Sequence, residues 1–248
     1  MNDIIFAEIF GSMSNKNKLN RFADVARFEN VLEPSLQDVI DKNNGGEIKS
    51  HPIKGNWKKE FFKNENPLVL ELACGGGEYT VALARQNSNK NYLGVDIKGA
   101  RLWKGAKIAL DEGLMNAGFL RTRIDFITSF FAVDEVDEIW ITFPDPQPQK
   151  NRARKRLTAP LFIERYKKFL KPGAVIHLKH DNDFFFNYTL EQIEEHGYDL
   201  EFVSHDIYAD LDLVEDTDLR EILQVKTYYE EKFSEIGHVI KYLRFRIT

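Results

Sequence analysis

From Pro67 onward, short apolar runs alternate with stretches of helical period, a rhythm that restricts the chain to a mostly parallel sheet with helices on both faces. Residues 68–73, 92–97, 119–124, 137–143 and 174–179 read as its strands. Between the first two, residues 78–86 read as a helix; a second helix puts Leu102, Ala106, Ala109 and Leu110 on one face and stops at Gly113. A third is expected to start at Thr158 as N-cap, to carry the stripe Phe162, Tyr166, Phe169 and Leu170, and to end at Lys171-Pro172-Gly173. A fourth carries Phe186, Leu190 and Ile193 before Gly197. Two β-rich segments, 198–208 and 238–247, fit an antiparallel pair at one edge of the sheet. Residues 1–66 are of mixed polarity, with the loop signal Asn43-Asn44-Gly45-Gly46, and read as a lead-in lying on a main domain of residues 67–248. Gly11-Ser12-Met13 reads as a cloning scar or an alternative start, so residues 1–12 are set apart.

Composition narrows the setting. A single cysteine, Cys74, excludes an internal disulfide framework, and no Cys/His spacing suits zinc, so no metal is expected. No apolar run approaches the roughly 20 residues that span a bilayer, and the expected location is the cytoplasm. The net charge of -5 speaks against a nucleic-acid partner until it is divided along the chain. Residues 191–221 hold twelve acids and one arginine, a balance of -11, which leaves +6 on the remainder. An acidic flank can face water while another face stays basic.

Four constellations carry candidate chemistry. The first is Glu71-Leu72-Ala73-Cys74-Gly75-Gly76-Gly77-Glu78, where glycines allow close approach of backbone to a ligand and a helix N-terminus offers free N–H groups. Asp96 follows at the end of the second strand, where an acid can accept from both ribose hydroxyls. Thr80, in the place of a third glycine, disfavours a nicotinamide dinucleotide, whereas Glu71 suits a ligand with a cationic amino-acid tail. The second is Phe143-Pro144-Asp145-Pro146, in which prolines stop the strand and hold one carboxylate stiffly. The third is the basic run Lys150, Arg152, Arg154, Lys155 and Arg156; if all five met phosphates, the log-log salt slope of binding would be about -4. The fourth is Thr227-Tyr228-Tyr229-Glu230-Glu231-Lys232-Phe233. Singly, each also fits a plain structural reading as a glycine turn, a proline turn, a solvated charge run or a packing segment. Together, Glu71, Asp96 and Asp145 stand at the ends of three strands that share one crevice, which favours a site.

Taken together, Glu71 to Glu78, Gly94-Val95-Asp96, Val136 to Arg156, Lys179-His180-Asp181-Asn182 and Thr227 to Glu230 resemble the bacterial tRNA (guanine-N7-)-methyltransferase family. The resemblance implies a Rossmann-like class I fold dependent on S-adenosylmethionine, with a seven-stranded mostly parallel sheet and an antiparallel edge strand. It implies methyl transfer to N7 of the variable-loop guanosine of tRNA, position 46. It further implies that Glu71, Ala73, Gly75, Gly77, Asp96, Arg123, Ile124 and Asp145 bind the cofactor, with Asp145 catalytic. Gln149, Lys150, Arg154, Asp181, Thr227, Tyr228, Tyr229 and Glu230 would meet the tRNA. The chain departs from the family at Ala73, where glycine is usual, and at Gln147 and Gln149, where Trp and Lys are usual and Lys150 could substitute. Arg123 stands where the family has an acid. Three rivals remain open: the same fold acting on another RNA, a protein or a small molecule; a non-catalytic RNA-binding module; and an NAD-dependent oxidoreductase. Oligomeric state is left open, as monomer or homodimer.

Overall fold

The computed structural model describes residues 15–41 and 46–247, the first four as backbone only, so the expected start at Gly11-Ser12-Met13 and most of the Asn43–Gly46 loop lie outside the described residues. Among the described residues the strands are β1 (Val31–Leu32), β2 (Ile40–Asp41), β3 (Glu47–Ile48), β4 (Leu68–Leu72), β5 (Asn91–Asp96), β6 (Ala117–Arg121), β7 (Val136–Thr142), β8 (Leu170–His180), β9 (Asp199–Ser204) and β10 (Lys241–Arg246). The helices are α1 (Asn15–Val25), α2 (Leu36–Val39), α3 (Glu78–Gln86), α4 (Gly99–Asp111), α5 (Pro160–Tyr166), α6 (Asp183–His196), α7 (Thr217–Leu223) and α8 (Tyr228–Glu235). The main sheet runs β1-β6-β5-β4-β7-β8-β10-β9, and β2 and β3 form a separate hairpin.

β4 is the centre, and every one of its residues is buried. Leu68, Leu70 and Leu72 enter a layer with Trp57, Phe62, Phe130, Phe162, Tyr166 and Phe185. Val69 points the other way, toward Tyr79, Leu83, Leu102, Ala106 and Leu223. This period-two alternation, apolar on both sides, is what a strand covered by helices on both faces requires. From β4 the chain first builds outward through β5 and β6, then crosses back to lay β7 and β8 on the other side, all parallel. The reversal makes a crevice above the carboxyl ends of β4, β5 and β7.

The expected sheet is corrected in two respects. The described sheet has eight strands rather than seven, because the lead-in contributes β1 beside β6. The antiparallel pair expected at one edge forms as β9 and β10, but the strand that runs against the rest is the inner one: β10 lies antiparallel between β8 and β9, so β9 takes the edge. The third helix is also shorter than its apolar stripe. Thr158 does not cap it, because its hydroxyl is taken by Thr189 at 2.8 Å; Ala159 stands at the cap and Pro160 opens the helix. The stripe residue Leu170 already belongs to β8, paired with Val136, and Lys171-Pro172-Gly173 bulges out of the ladder where the register jumps from Val136↔Leu170 to Glu138↔Val175. Proline cannot donate to a ladder, so the bulge absorbs it without losing the strand. The third strand ends early too, at Arg121, and Ile124 opens a 3-10 segment, Ile124–Ser129.

The lead-in is tied to the sheet by side chains of opposite ends. In a π-helical turn, Trp57–Phe62, the Trp57 ring is fully buried, stacks on Phe131 at 5.5 Å and donates from Nε1 to the Phe130 carbonyl at 2.8 Å. At the other end α1 lies along α4, where Trp103 Nε1 donates to Asp24 at 3.0 Å and Arg21 covers the Trp103 ring at 4.7 Å. Trp57→Ala removes a large buried ring and orphans the Phe130 carbonyl. It should cost about 3–5 kcal/mol of stability in a urea melt.

Candidate active site

The loop between β4 and α3 folds on three left-handed residues, Ala73 (φ 60), Gly75 (φ 56) and Gly77 (φ 74). Two glycines on neighbouring elements make room for it: a Cβ on Gly105 would meet the Gly76 carbonyl at 2.6 Å, and one on Gly94 would meet Cys74 Sγ at 2.9 Å. Ala73 thus occupies a conformation that favours glycine, which gives a physical reason for the glycine usual there and a modest cost for alanine. Asp96 crosses to brace the loop, accepting from Gly75 N at 3.0 Å and from Lys98 N at 2.7 Å.

Above this loop the strand ends enclose a cavity of about 510 Å3. It is lined by Ala73, Gly75, Asp96, Arg123, Ile124 and Asp145 of the expected cofactor set, and by Thr227 and Tyr229 of the expected tRNA set. Residues from five separate stretches of sequence thereby meet in one place. The wall also holds Lys155 of the basic run and Gln147 of the family departures, together with Arg101 and Asp125, which sequence reasoning passed over. Asp125 restores a carboxylate near the family's acidic position; it pairs with Arg123 at 3.0 Å, so the two residues present a neutral couple. The turn after β6 carries it, and its nearness to Arg123 in sequence was the available signal. Arg101 lies over the Tyr229 ring at 5.5 Å. Asp145 is exposed, and one of its oxygens accepts from Gln147 N at 3.1 Å.

Other expected residues stand elsewhere. Glu71 does not line the cavity but lies beneath it, 3% exposed: Thr80 donates to it from N at 2.7 Å and from its hydroxyl at 2.5 Å, and Thr142 from its hydroxyl at 2.8 Å. Burial pushes its carboxyl up to about 7, although these three hydrogen bonds oppose the shift. Gly77 is packed under the loop against Phe119 and Gly105, at the N-cap of α3, rather than on the wall. Gln149, Lys150 and Arg154 are exposed outside the cavity, the first as the cap and the others as members of the 3-10 turn Lys150–Lys155, whose last residue is on the wall. Tyr228 is exposed and does not reach the cavity. Asp181 has its side chain 9% exposed between His180 at 3.1 Å and His238 at 2.8 Å; burial opposes its charge, but the histidine hydrogen bonds outweigh it and hold the carboxyl below its usual range.

Glu230 needs outright correction as a tRNA contact, because it is fully buried. It closes a capping box with Thr227, whose hydroxyl accepts from Glu230 N at 3.2 Å, and it pairs with Lys179 Nζ at 2.7 Å. Tyr79, Tyr208 and the carbonyls of Leu223 and Val225 complete the shell around Lys179. Burial pulls the Lys179 ammonium down to about 8 despite the adjoining carboxylate. A Thr-x-x-Glu opening a helix is a capping-box signature, and that signal was legible in sequence. The ion pair anchors α8 to β8 and so sets where Thr227 and Tyr229 meet the cavity. A second cavity, of about 380 Å3, lies at the other end of β7 and β8, and its wall includes the Lys90–Glu138 and Arg246–Glu201 pairs.

Two outcomes follow from this burial. Glu71→Gln keeps the shape but removes the titration. Since the folded chain retains a proton that the unfolded chain releases between pH 4.5 and about 7, wild-type stability relative to the variant should be greatest below pH 4.5, fall by about 3 kcal/mol up to pH 7, and stay level above it, as read by thermal melts. Lys179→Met leaves Glu230 charged and unpaired, and should cost about 3–5 kcal/mol; the double variant with Glu230→Gln should regain most of that loss in urea melts.

Residues 65–243 match the family model described as "Putative methyltransferase". A tRNA (guanine-N(7)-)-methyltransferase from Christiangramia forsetii is 46% identical over 95% of this chain and all of its own length. One of the same name from Bacteroides fragilis is 50% identical over 93% of this chain and 85% of its own. Among solved structures, the 16S rRNA methyltransferase KamB superposes with a TM-score of 0.54 at 16% identity, over 74% of this chain and 88% of that one, a likeness of fold. Among the described residues no helix is long and apolar enough to cross a membrane, and no group of three potential metal ligands occurs. With a glycine-cradled loop, three strand-end acids and relatives this similar along nearly its whole length, the chain belongs to the bacterial tRNA (guanine-N7-)-methyltransferase family.

Proposed function

We propose that the protein methylates N7 of the variable-loop guanosine of tRNA, position 46, and that Asp145 is the catalytic residue. The observation that carries the reading is the exposed Asp145 carboxylate on the cavity wall beside a turn of exposed cations. The site fits its cofactor on structural grounds: the loop brings backbone to the wall at Ala73, Gly75 and Gly76 with no Cβ at either glycine, Asp96 keeps free lone pairs beside it, and the cavity is large enough for a nucleoside. S-adenosylmethionine is the methyl donor, and when bound it supplies a methyl carbon on a sulfonium leaving group.

Guanine N7 carries an in-plane lone pair, so no residue need act as a base. The protein's work is alignment, which can lower a barrier by roughly 7–11 kcal/mol. Asp145 accepts from the N1–H and N2–H₂ edge of guanine, and its charge offsets the positive charge that grows on the purine. Asp96 holds the ribose, and the Arg123–Asp125 couple and Ile124 border the adenine. Glu71 acts through the loop it supports. Lys150, Arg152, Arg154 and Lys155, all exposed and with no carboxylate partner among the described residues, meet phosphates, while Arg101 and Tyr229 stand at the cavity mouth. With four such cations the salt slope should be roughly -3.

Incubation of unmodified tRNA with labelled cofactor, followed by mapping of the modified nucleotide, should find the methyl group at the variable-loop guanosine. A transcript lacking that base should stay unlabelled, and labelling elsewhere would refute the assignment. Asp145→Asn, which keeps the acceptor for Gln147 N–H, should lower kcat by about 10²-fold. Its affinity for S-adenosylhomocysteine should remain within threefold of wild type.

A further inference from the structure

Two left-handed residues, Phe143 (φ 47) and Gln147 (φ 46), bracket Pro144-Asp145-Pro146. Side chains other than glycine hold such backbone only where their surroundings enforce it. The turn has little of its own to do so: Pro144 and Pro146 have no N–H, and its one internal hydrogen bond here is that from Gln147 N to the Asp145 side chain. The enforcement comes from two buried side chains of other elements. His180, at the end of β8 and 3% exposed, has Nε2 at 2.9 Å from the Pro144 carbonyl. A carbonyl only accepts, so Nε2 carries the proton, in the neutral or the charged ring alike. Arg156, 5% exposed, donates from Nε to the Gln147 carbonyl at 3.1 Å. Its guanidinium is held between the rings of Phe184 and Tyr188 of α6, at 4.6 and 4.3 Å. Arg156 is therefore the one member of the basic run turned inward, and its place in the sequence misstates its task.

We propose that Arg156 and His180 are positioning residues for methyl transfer: by clamping the carbonyls of Gln147 and Pro144 they hold the strained turn that aims Asp145 into the cavity. The proposal rests on the catalytic assignment of Asp145 above. The rival is that Arg156 binds a tRNA phosphate like its neighbours. Between residues 144 and 148 the only amide protons belong to Asp145 and Gln147, so the Gln147 amide reports on the turn directly.

The test measures Gln147 amide exchange by NMR, together with kcat, KM for tRNA, the salt slope and S-adenosylhomocysteine affinity, on the full chain. Arg156→Gln and His180→Leu should speed Gln147 exchange at least tenfold and lower kcat by about 10- to 100-fold. KM for tRNA and the salt slope should hold, and Arg156→Lys should restore part of kcat because its ammonium can still reach the carbonyl. Lys155→Gln, by contrast, should raise KM and flatten the salt slope by about one unit without altering exchange. If Arg156→Gln instead behaves like Lys155→Gln, Arg156 is a phosphate contact and the clamp is wrong. Should Arg156→Gln lose S-adenosylhomocysteine binding, and so its fold, Tyr188→Leu replaces it; it spares the hydrogen bond but opens the sandwich, and unchanged Gln147 exchange there overturns the proposal. If the wild-type chain fails to methylate tRNA, the assignment of substrate falls, while the exchange measurements still decide the clamp.

Discussion

Glu71 is buried where three elements converge, and the site depends on that one carboxylate. It is the penultimate residue of β4, receives the amide and hydroxyl of Thr80 from the first turns of α3, and receives the hydroxyl of Thr142 from the last residue of β7. β4 is the strand at which the chain reverses its direction of building, so this cluster bolts the two halves of the sheet together at their crevice. Leaving water is costly for a carboxylate, which is why burial pushes its titration up to about 7 even with three donors around it. The return is a fixed start for α3 and a fixed floor for the loop, on which Asp96 then closes from the neighbouring strand.

Around that floor the structure repeats one device: a buried polar side chain from a distant segment holds a short stretch of backbone that lines the cavity. Lys179 and Glu230 place Thr227 and Tyr229 in this way. Arg156 and His180 do the same for the proline turn. Each pair links the cavity wall to β8 or α6, elements whose apolar faces are deep in the core. Rigidity is imported from the core to the rim, where loops alone could not supply it. Charge is separated by the same architecture. The acidic balance of residues 191–221 lies on α6, β9, α7 and the stretch between β9 and α7, whereas the exposed cations of Lys150–Lys155 stand beside the cavity, so the net charge of -5 conceals a surface suited to an anionic substrate.

The sequence by itself determined the alternation of strands and helices, because burial on both faces of β4 demands an apolar run and a helix covering it demands a 3.6-residue period. It determined that acids would stand at or near the ends of β4, β5 and β7, three strands adjacent in the sheet, since the strand boundaries at Leu72, Asp96 and Thr142 follow from where apolar runs meet glycine, charge or proline. The glycine loop, the stiff Asp145 turn and the family were legible for the same reason: they are local patterns. Tertiary structure alone decided which polar residues face the cavity and which face the core. Glu230 and Arg156 look like their exposed neighbours in a linear reading, and only the arrival of Lys179 beneath one and of Phe184 and Tyr188 around the other draws them inside. It also decided that Leu170 would pair with Val136 rather than finish a helix, because a ladder partner from β7 outweighs a weak local period. Partners distant in sequence set the environment of a charge, and no local pattern records them.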